Sequence, residues 1–321
     1  MGSWVRDMVN NGNLYNAKIK KNDEFYTQLE DIEKELCHYT EHFKNKVVYC
    51  NCDNPEQSMF WKYFYDNFHS LGLKKLVATY YDTYTTVYKT TYDGNEIKKE
   101  PLHCNGDFQN KECIDILDGC DIVVTNPPFS LFRAFVSTLI EHDKQFLIIG
   151  NINAITYKEI FPLILENRLW FGCRSLNKDM YFNVTNEYKD YLVTHKKENS
   201  AYKTINGVIM GRLASACWYT NIEHNKRNKI VTTTYLYYQT PYLYQKYDNY
   251  DAIHVEKVAE IPMDYDGIMG VPITFLEKYN PEQFTIIGLF NHGSDGPYDL
   301  AKPIINGKER FKRIAIKKRT V

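Results

Sequence analysis

Asn126-Pro127-Pro128-Phe129 is the stretch whose residue types and order best describe a reaction geometry. Each proline fixes φ and removes a backbone donor, so the expected outcome is a stiff tetrapeptide whose carbonyls project without internal partners. Asn126 adds an amide oxygen as a further acceptor, and Phe129 sets a flat ring beside it. Two aimed acceptors next to a stacking ring suit an exocyclic amine on a planar heterocycle. Such an amine is a poor nucleophile because its lone pair is delocalised into the ring. Accepting hydrogen bonds from both of its N–H groups drives the nitrogen toward tetrahedral geometry and frees that pair. With an activated methyl cation donor no strong general base is required, and the protein supplies position and electrostatics. The competing reading of the same residues is a structural Pro-Pro turn after a strand.

A rigid tetrapeptide needs a rigid mount. The apolar runs "KVVYCN", "KKLVATYY", "DIVVTN" and "QFLIIGN" read as strands, and "LWFGC" as a fifth. Between them, "PEQSMFWKYFYDNFHSLG", "LFRAFVSTLIEHD" and "YKEIFPLILENRL" read as helices, as does "NDEFYTQLEDIEKELCHYTEHF" at the front. Strand and helix alternating at this spacing predict an α/β fold with a mostly parallel sheet. Ligands in such sheets gather at the carboxyl ends of the strands, where both "CNCDNP" and "TNPPF" fall. From about residue 222 the chain turns polar, aromatic and β-rich, which divides it into domains 1–222 and 223–321.

The 321 residues carry a formal net charge of −1, so no global field points to nucleic acid. Locally, Gly307 to Thr320 holds Lys308, Arg310, Lys312, Arg313, Lys317, Lys318 and Arg319 against the single acid Glu309. Phe311, Ile314 and Ile316 alternate with these cations, which predicts a strand with one apolar and one basic side. That strand is either a solvated edge guarded by lysine and arginine or a phosphate-contacting surface. Eight cysteines without CxxC pairing read as buried free thiols in an intracellular, cytoplasmic protein, with no metal site. No run is apolar over the length of a membrane span.

The segment "TNPPF" matches the amino-methyltransferase motif, and most of the chain resembles the EcoRI-type adenine-specific DNA methyltransferase family. "KNDEFYTQLEDIEKEL", "VVYCNCDNPEQSMFWKYF", "DIVVTNPPFSLF", "CWYTNIEH" and "GVPITFLEKYNPEQFTIIG" carry the resemblance. It implies a Rossmann-like methyltransferase core, S-adenosyl-L-methionine as cofactor, double-stranded DNA as partner, and a target adenine flipped out of the duplex. By this match Asn126 and the Pro127 carbonyl grip the amine, Pro128 stiffens the loop and Phe129 stacks on the base. "EFYT" resembles the aromatic motif closing over the methionine end of the cofactor, which points to Phe25, Tyr26 and Thr27. Asn51 and Asp53 would hold the methionine moiety, and Asp107 and Phe108 of "NGDF" would meet the cofactor's adenine. For Asp107 a plain Gly-Asp turn is the alternative.

The Gly-x-Gly turn of the usual methyltransferase pattern is missing after "VVYC". Asn and Asp tolerate left-handed backbone and can stand in for glycine there. An acid for the ribose is expected just after "KKLVATYY", where Tyr80 and Tyr81 precede Asp82, and that role is open, as is the second aromatic face among Trp170, Phe171, Tyr181, Phe182 and Trp218. In the C-terminal region, Arg313, Lys317 and Lys318 are the candidate DNA-binding cations. The tetrapeptide alone is also compatible with methylation of cytosine N4, RNA adenine or a protein glutamine, and a DNA-binding protein without catalysis is the reading of another class. A restriction endonuclease counterpart acting separately, and the oligomeric state, stay open.

Overall fold

The computed structural model describes residues 26–292 and 296–319. They divide into two compact units: the chain up to Ala154 with Gly172–Ile222, and Ile155–Phe171 with Glu223 onward. The first unit runs β1 (Tyr26–Thr27), α1 (Leu29–Leu36), β2 (Val47–Cys50), α2 (Met59–Asp66), β3 (Lys75–Ala78), β4 (Tyr88–Tyr92), β5 (Ile97–Pro101), α3 (Lys111–Asp118), β6 (Ile122–Thr125), α4 (Phe132–Glu141) and β7 (Gln145–Asn151). The second unit then takes α5 (Phe161–Leu165) and β8 (Trp170–Phe171). The first resumes with β9 (Met180–Asn183), α6 (Asn186–His195), β10 (Tyr202–Ile205), β11 (Val208–Leu213) and β12 (Ala216–Thr220).

Seven strands of the first unit form one sheet in the order β5-β4-β3-β2-β6-β7-β12. The four central strands, β3, β2, β6 and β7, are parallel and are the ones the sequence predicts. Every residue of β2 and β6 is buried, as expected for β-branched runs covered on both faces. Antiparallel β4, β5 and β12 make the sheet mixed. The β4–β5 hairpin escaped the sequence reading because all five residues of β5, "IKKEP", are exposed and show no alternation.

A second, antiparallel sheet in this unit, β1-β9-β11-β10, pairs Thr27 with Phe182. Helix α1 buries Ile32, Leu36 and, unusually, Glu35. That carboxylate accepts from the Cys173 amide (2.5 Å), the Arg174 amide (2.7 Å) and the Tyr39 hydroxyl (3.0 Å). Three donors are what a buried carboxylate needs. Only glycine fits beside it: a Cβ on Gly172 would lie 2.3 Å from Glu35 Oε1.

The second unit holds β13 (Ala252–His254), β14 (Ile268–Pro272), β15 (Phe284–Phe290), β16 (Asp299–Ala301), β17 (Ile304–Ile305), β18 (Lys308–Glu309) and β19 (Arg313–Lys318). Five of them form a sheet in the order β13-β14-β19-β15-β16. Among its described residues α5 is the only α-helix. The stretch from about 225 to 250, expected to be β-rich, contains no strand. Its Tyr and Thr residues favour extended backbone, but side chains replace a ladder partner: the Val231 amide donates to Gln283 Oε1 (2.6 Å) and the Tyr237 amide to Asp264 Oδ1 (2.5 Å).

Candidate active site

Parallel strands β2, β3, β6 and β7 deliver Asn51, Thr79, Asn126 and Ile152 to one edge of the sheet. The chain leaves β2 toward β3 on one side and later places β6 on the other, which makes β2/β6 a topological switch point. Asn51–Asp53 and Asn126–Phe129 therefore emerge as neighbours.

Hydrogen bonds tie these ends together. Thr125 Oγ1 lies within hydrogen-bond reach of the Asn51 carbonyl and 2.5 Å from Asp53 Oδ2. Ser58 Oγ donates to Asp53 Oδ1 (2.8 Å), and the Asp53 amide donates to the Thr79 carbonyl (3.0 Å). Ser58 also caps α2, accepting from the Phe60 and Trp61 amides. Burial pushes the Asp53 carboxyl up to about 7, against the lowering effect of the Thr125 and Ser58 hydroxyls. The left-handed residue of this loop is Cys52, with φ +66, and neither Asn51 nor Asp53 takes that role.

In the tetrapeptide no peptide bond is cis. Pro127 is buried, while Asn126, Pro128 and Phe129 are half-buried. The expectation that both proline carbonyls project without partners fails for Pro128, whose carbonyl accepts from the Leu131 amide (2.9 Å). That bond opens a short 3₁₀ turn, Phe129–Leu131, which runs into α4. Pro128 is thus built into the turn, and the Phe129 ring packs at the fringe of the unit's core.

The "NGDF" turn sits close to the same loop. Burial chiefly, followed by the charges of Asp53, Cys113 and Asp107, raises the Cys52 thiol. Gly106 has φ +78, and a Cβ there would lie 1.9 Å from the Tyr80 carbonyl oxygen, so the turn is pressed against the segment leaving β3. Asp107 Oδ1 accepts from the Gln109 amide (3.0 Å), the local turn bond that the alternative reading foresees. Phe108 is buried, edge-on to Phe135 of α4 at 5.0 Å. Asp82 accepts from the Tyr84 amide (2.7 Å) and the Thr85 hydroxyl (2.8 Å) within its own turn.

Phe25 lies outside the described residues. Tyr26 and Thr27 form β1, Tyr26 half-buried and Thr27 buried. Among the described residues, Thr27 Oγ1 and Asn51 Oδ1 are buried polar atoms with no hydrogen-bond partner. Of the candidate second aromatics, Phe182 and Trp218 are core, Trp218 meeting Phe60 edge-on at 5.9 Å. In the second unit Phe171 is buried, and the Arg227 guanidinium lies 3.4 Å from the centre of the Trp170 ring. Tyr181 is half-buried.

The basic segment departs furthest from its reading. Strand β19 is central, between β14 and β15, and Arg313, Ile314, Ala315 and Ile316 are all buried. A strand walled in on both sides is neither a solvated edge nor a one-sided basic face over that length. Arg313 is 7% exposed; its guanidinium lies 3.7 Å from Glu256 and 3.5 Å from His254 Nε2. Lys317 and Lys318 extend past the buried run and are exposed, Lys318 Nζ donating to the Met263 carbonyl. Phe311, placed on the apolar side by pattern, is 84% exposed.

Sequence reasoning gave Ser58 and Thr125 no role. Thr125 carried a signal, since it is the only hydroxyl in an otherwise apolar buried strand.

The family described as adenine-specific methyltransferase EcoRI matches residues 13–319. Curated relatives agree in length as well as sequence. The Type II methyltransferase M.EcoRI of Escherichia coli is 44% identical, covering 95% of both chains. M.MpnI of Mycoplasma pneumoniae is 42% identical over 94% of this chain and 97% of its own. M.MgeORF184P of Mycoplasma genitalium is 39% identical over 95% and 98%. No solved structure matches the chain. With a proline-locked acceptor loop at the switch point and these matches spanning nearly all of the sequence, the chain belongs to the EcoRI family of adenine-specific methyltransferases.

Proposed function

We propose that the protein is a site-specific DNA adenine-N6 methyltransferase that uses S-adenosyl-L-methionine and acts on an adenine turned out of duplex DNA. The observation that carries this reading is the emergence of Asn126–Phe129 beside the Asn51–Asp53 loop at the β2/β6 switch point. The cofactor's polar amino-acid end would meet Asn51 at this edge, where its side-chain oxygen is buried without a hydrogen-bond partner among the described residues, and Thr27 of β1 buries a second such oxygen. These two residues, with Tyr26, would hold that end, and Asp107 and Phe108 the adenine end. When bound, the cofactor supplies a methyl group on a positively charged sulfur.

The chain's own residues do the rest. Asn126 Oδ1 and the Pro127 carbonyl accept the two hydrogens of the target amine and so expose its lone pair. Pro128, engaged by Leu131, keeps those acceptors from swinging away. Phe129 offers a face on which the extruded base stacks, which offsets part of the unstacking cost. In this reading residues 1–222 form a Rossmann-like methyltransferase core and 223–321 a DNA target-recognition region. Lys317 and Lys318 make phosphate contacts there, and Arg313 serves the sheet.

The test is nucleoside mass spectrometry of duplex DNA incubated with the purified protein and S-adenosyl-L-methionine. N6-methyladenine confined to one sequence context is the expected product. N4-methylcytosine, or methyl transfer to RNA or protein alone, would overturn the reading.

A further inference from the structure

The β2/β6 junction holds more acceptors than protons. Thr125 has one hydroxyl proton, yet its oxygen lies within reach of two acceptors, the Asn51 carbonyl and Asp53 Oδ2. The carbonyl has no proton to offer. If Asp53, itself half-buried, were ionised, one of the two O···O contacts would set lone pair against lone pair at Thr125, whose side chain and whose partner Asn51 are buried, at the cost of an unsatisfied buried group. Ser58 cannot relieve this, because its own proton goes to Asp53 Oδ1 and its oxygen accepts from the Phe60 and Trp61 amides.

We propose that Asp53 is a neutral carboxylic acid that donates to Thr125, that Thr125 in turn donates to the Asn51 carbonyl, and that Thr125 is thereby a positioning residue for the loop beginning at Asn126. Each oxygen is then satisfied once. The relay joins the ends of two parallel strands through residues 72 positions apart. The groups facing Asp53 agree with its neutrality. From β2 and its loop come the thiols of Cys50 and Cys52, both held protonated by burial; from α2 comes Ser58, from β3 the Thr79 carbonyl, and from β6 Thr125. Among the described residues, no lysine, arginine or histidine is among the groups acting on Asp53.

The positioning role rests on the proposed methyl transfer, whereas the protonation state does not, and the two are read separately. Asp53→Asn imitates the neutral acid, with its Nδ2 donating to Thr125 and its Oδ1 accepting from Ser58. Unfolding of the ligand-free protein by urea is followed from pH 5 to pH 8. A raised folded-state value means that stability is fully present below the unfolded value and is lost as pH rises toward about 7. The wild-type folding constant should therefore fall relative to Asp53→Asn, on the order of a hundredfold across that range. A protonated-carboxyl C=O band should also appear in the wild-type minus Asp53→Asn infrared difference spectrum at pH 6. Parallel pH profiles, or no such band, would overturn the relay.

For positioning, single-turnover methylation at saturating cofactor and DNA compares Thr125→Val with Thr125→Ser. Serine keeps the hydroxyl and should hold the wild-type rate, while valine should lose at least about tenfold in rate with little change in cofactor Kd. Equal rates for valine and wild type would overturn the positioning role. Absence of methylation in the wild type itself would strike the proposed function and leave the ligand-free measurements to decide the relay.

Discussion

Two segments singled out by their residue types, Asn126–Phe129 and Arg313–Lys318, have different fates in the fold. Asn126–Phe129 lies just past the end of β6, where two prolines force the backbone out of the sheet. Arg313 to Lys318 lies within a strand, and that strand is central. In the first case local sequence alone keeps the residues out of the ladder. In the second, exposure depends on which strands lie alongside, a fact set by residues 268–290 and by nothing inside the segment. Residue type declares a chemistry; topology decides whether the position can use it.

That contrast can be broken most forcefully at Asn126. Asn126→Ala removes one acceptor and leaves the ring face, so the single-turnover rate should drop roughly 10²–10³-fold. A wild-type rate would reduce the tetrapeptide to a turn. Phe129→Ala should weaken base capture by about 1–3 kcal/mol, as judged by binding to DNA with a mismatched target adenine, while Phe129→Tyr keeps the face and the activity.

Next comes the second region. Arg313→Ala should destabilise the protein by about 1–3 kcal/mol in urea titrations, since it strips a buried donor from Glu256 and His254, yet leave the salt dependence of DNA binding unaltered. Replacing Lys317 and Lys318 together should do the reverse, lowering the log–log salt slope by about 0.9 for each phosphate that is no longer neutralised, with stability nearly unchanged. If the Arg313 variant flattens the slope instead, the buried cation is a DNA contact after all.

The smallest effect is expected at His254. Burial chiefly holds its imidazole below the ordinary histidine range, although the Glu256 hydrogen bond pulls the other way. A depressed folded-state value means the folded protein binds the proton less readily than the unfolded chain. Its contribution is therefore present above the unfolded value and is lost as pH falls below about 6.5. His254→Gln should flatten the acid side of the stability profile between pH 7 and pH 5; an unchanged slope would show that folding leaves the affinity of this ring for its proton as it is in the unfolded chain.

Much of the first unit was legible because its central strands are β-branched runs buried on both faces. For β7 the expected "QFLIIGN" coincides with Gln145–Asn151 residue for residue. Helices were overextended, as at α5, where a thirteen-residue apolar pattern yields only Phe161–Leu165. Pro162 lies in its first turn, and the flanks close with tight turn bonds such as Ile160 to Tyr157 and Asn167 to Ile164. The hairpin β4–β5 hid its strands but not its turn, since Asp93-Gly94 is a turn pair and Gly94 has φ +96. At the site, the acceptors and the ring could be read from four letters. The Asp53–Thr125 pairing could not, because it exists only once β2 and β6 lie side by side.

The buried Glu35 has a consequence for how the protein comes into being. On the ribosome α1 emerges early, but the amides that satisfy Glu35 belong to Cys173 and Arg174, and β12, which flanks β7, ends only at Thr220. At about 5–20 residues per second the nascent first unit spends many seconds without the two amides that let Glu35 be buried and with one flank of β7 unpaired. Its folding is therefore gated by late synthesis, and a chain halted before residue 172 should be a substrate for chaperones and proteases.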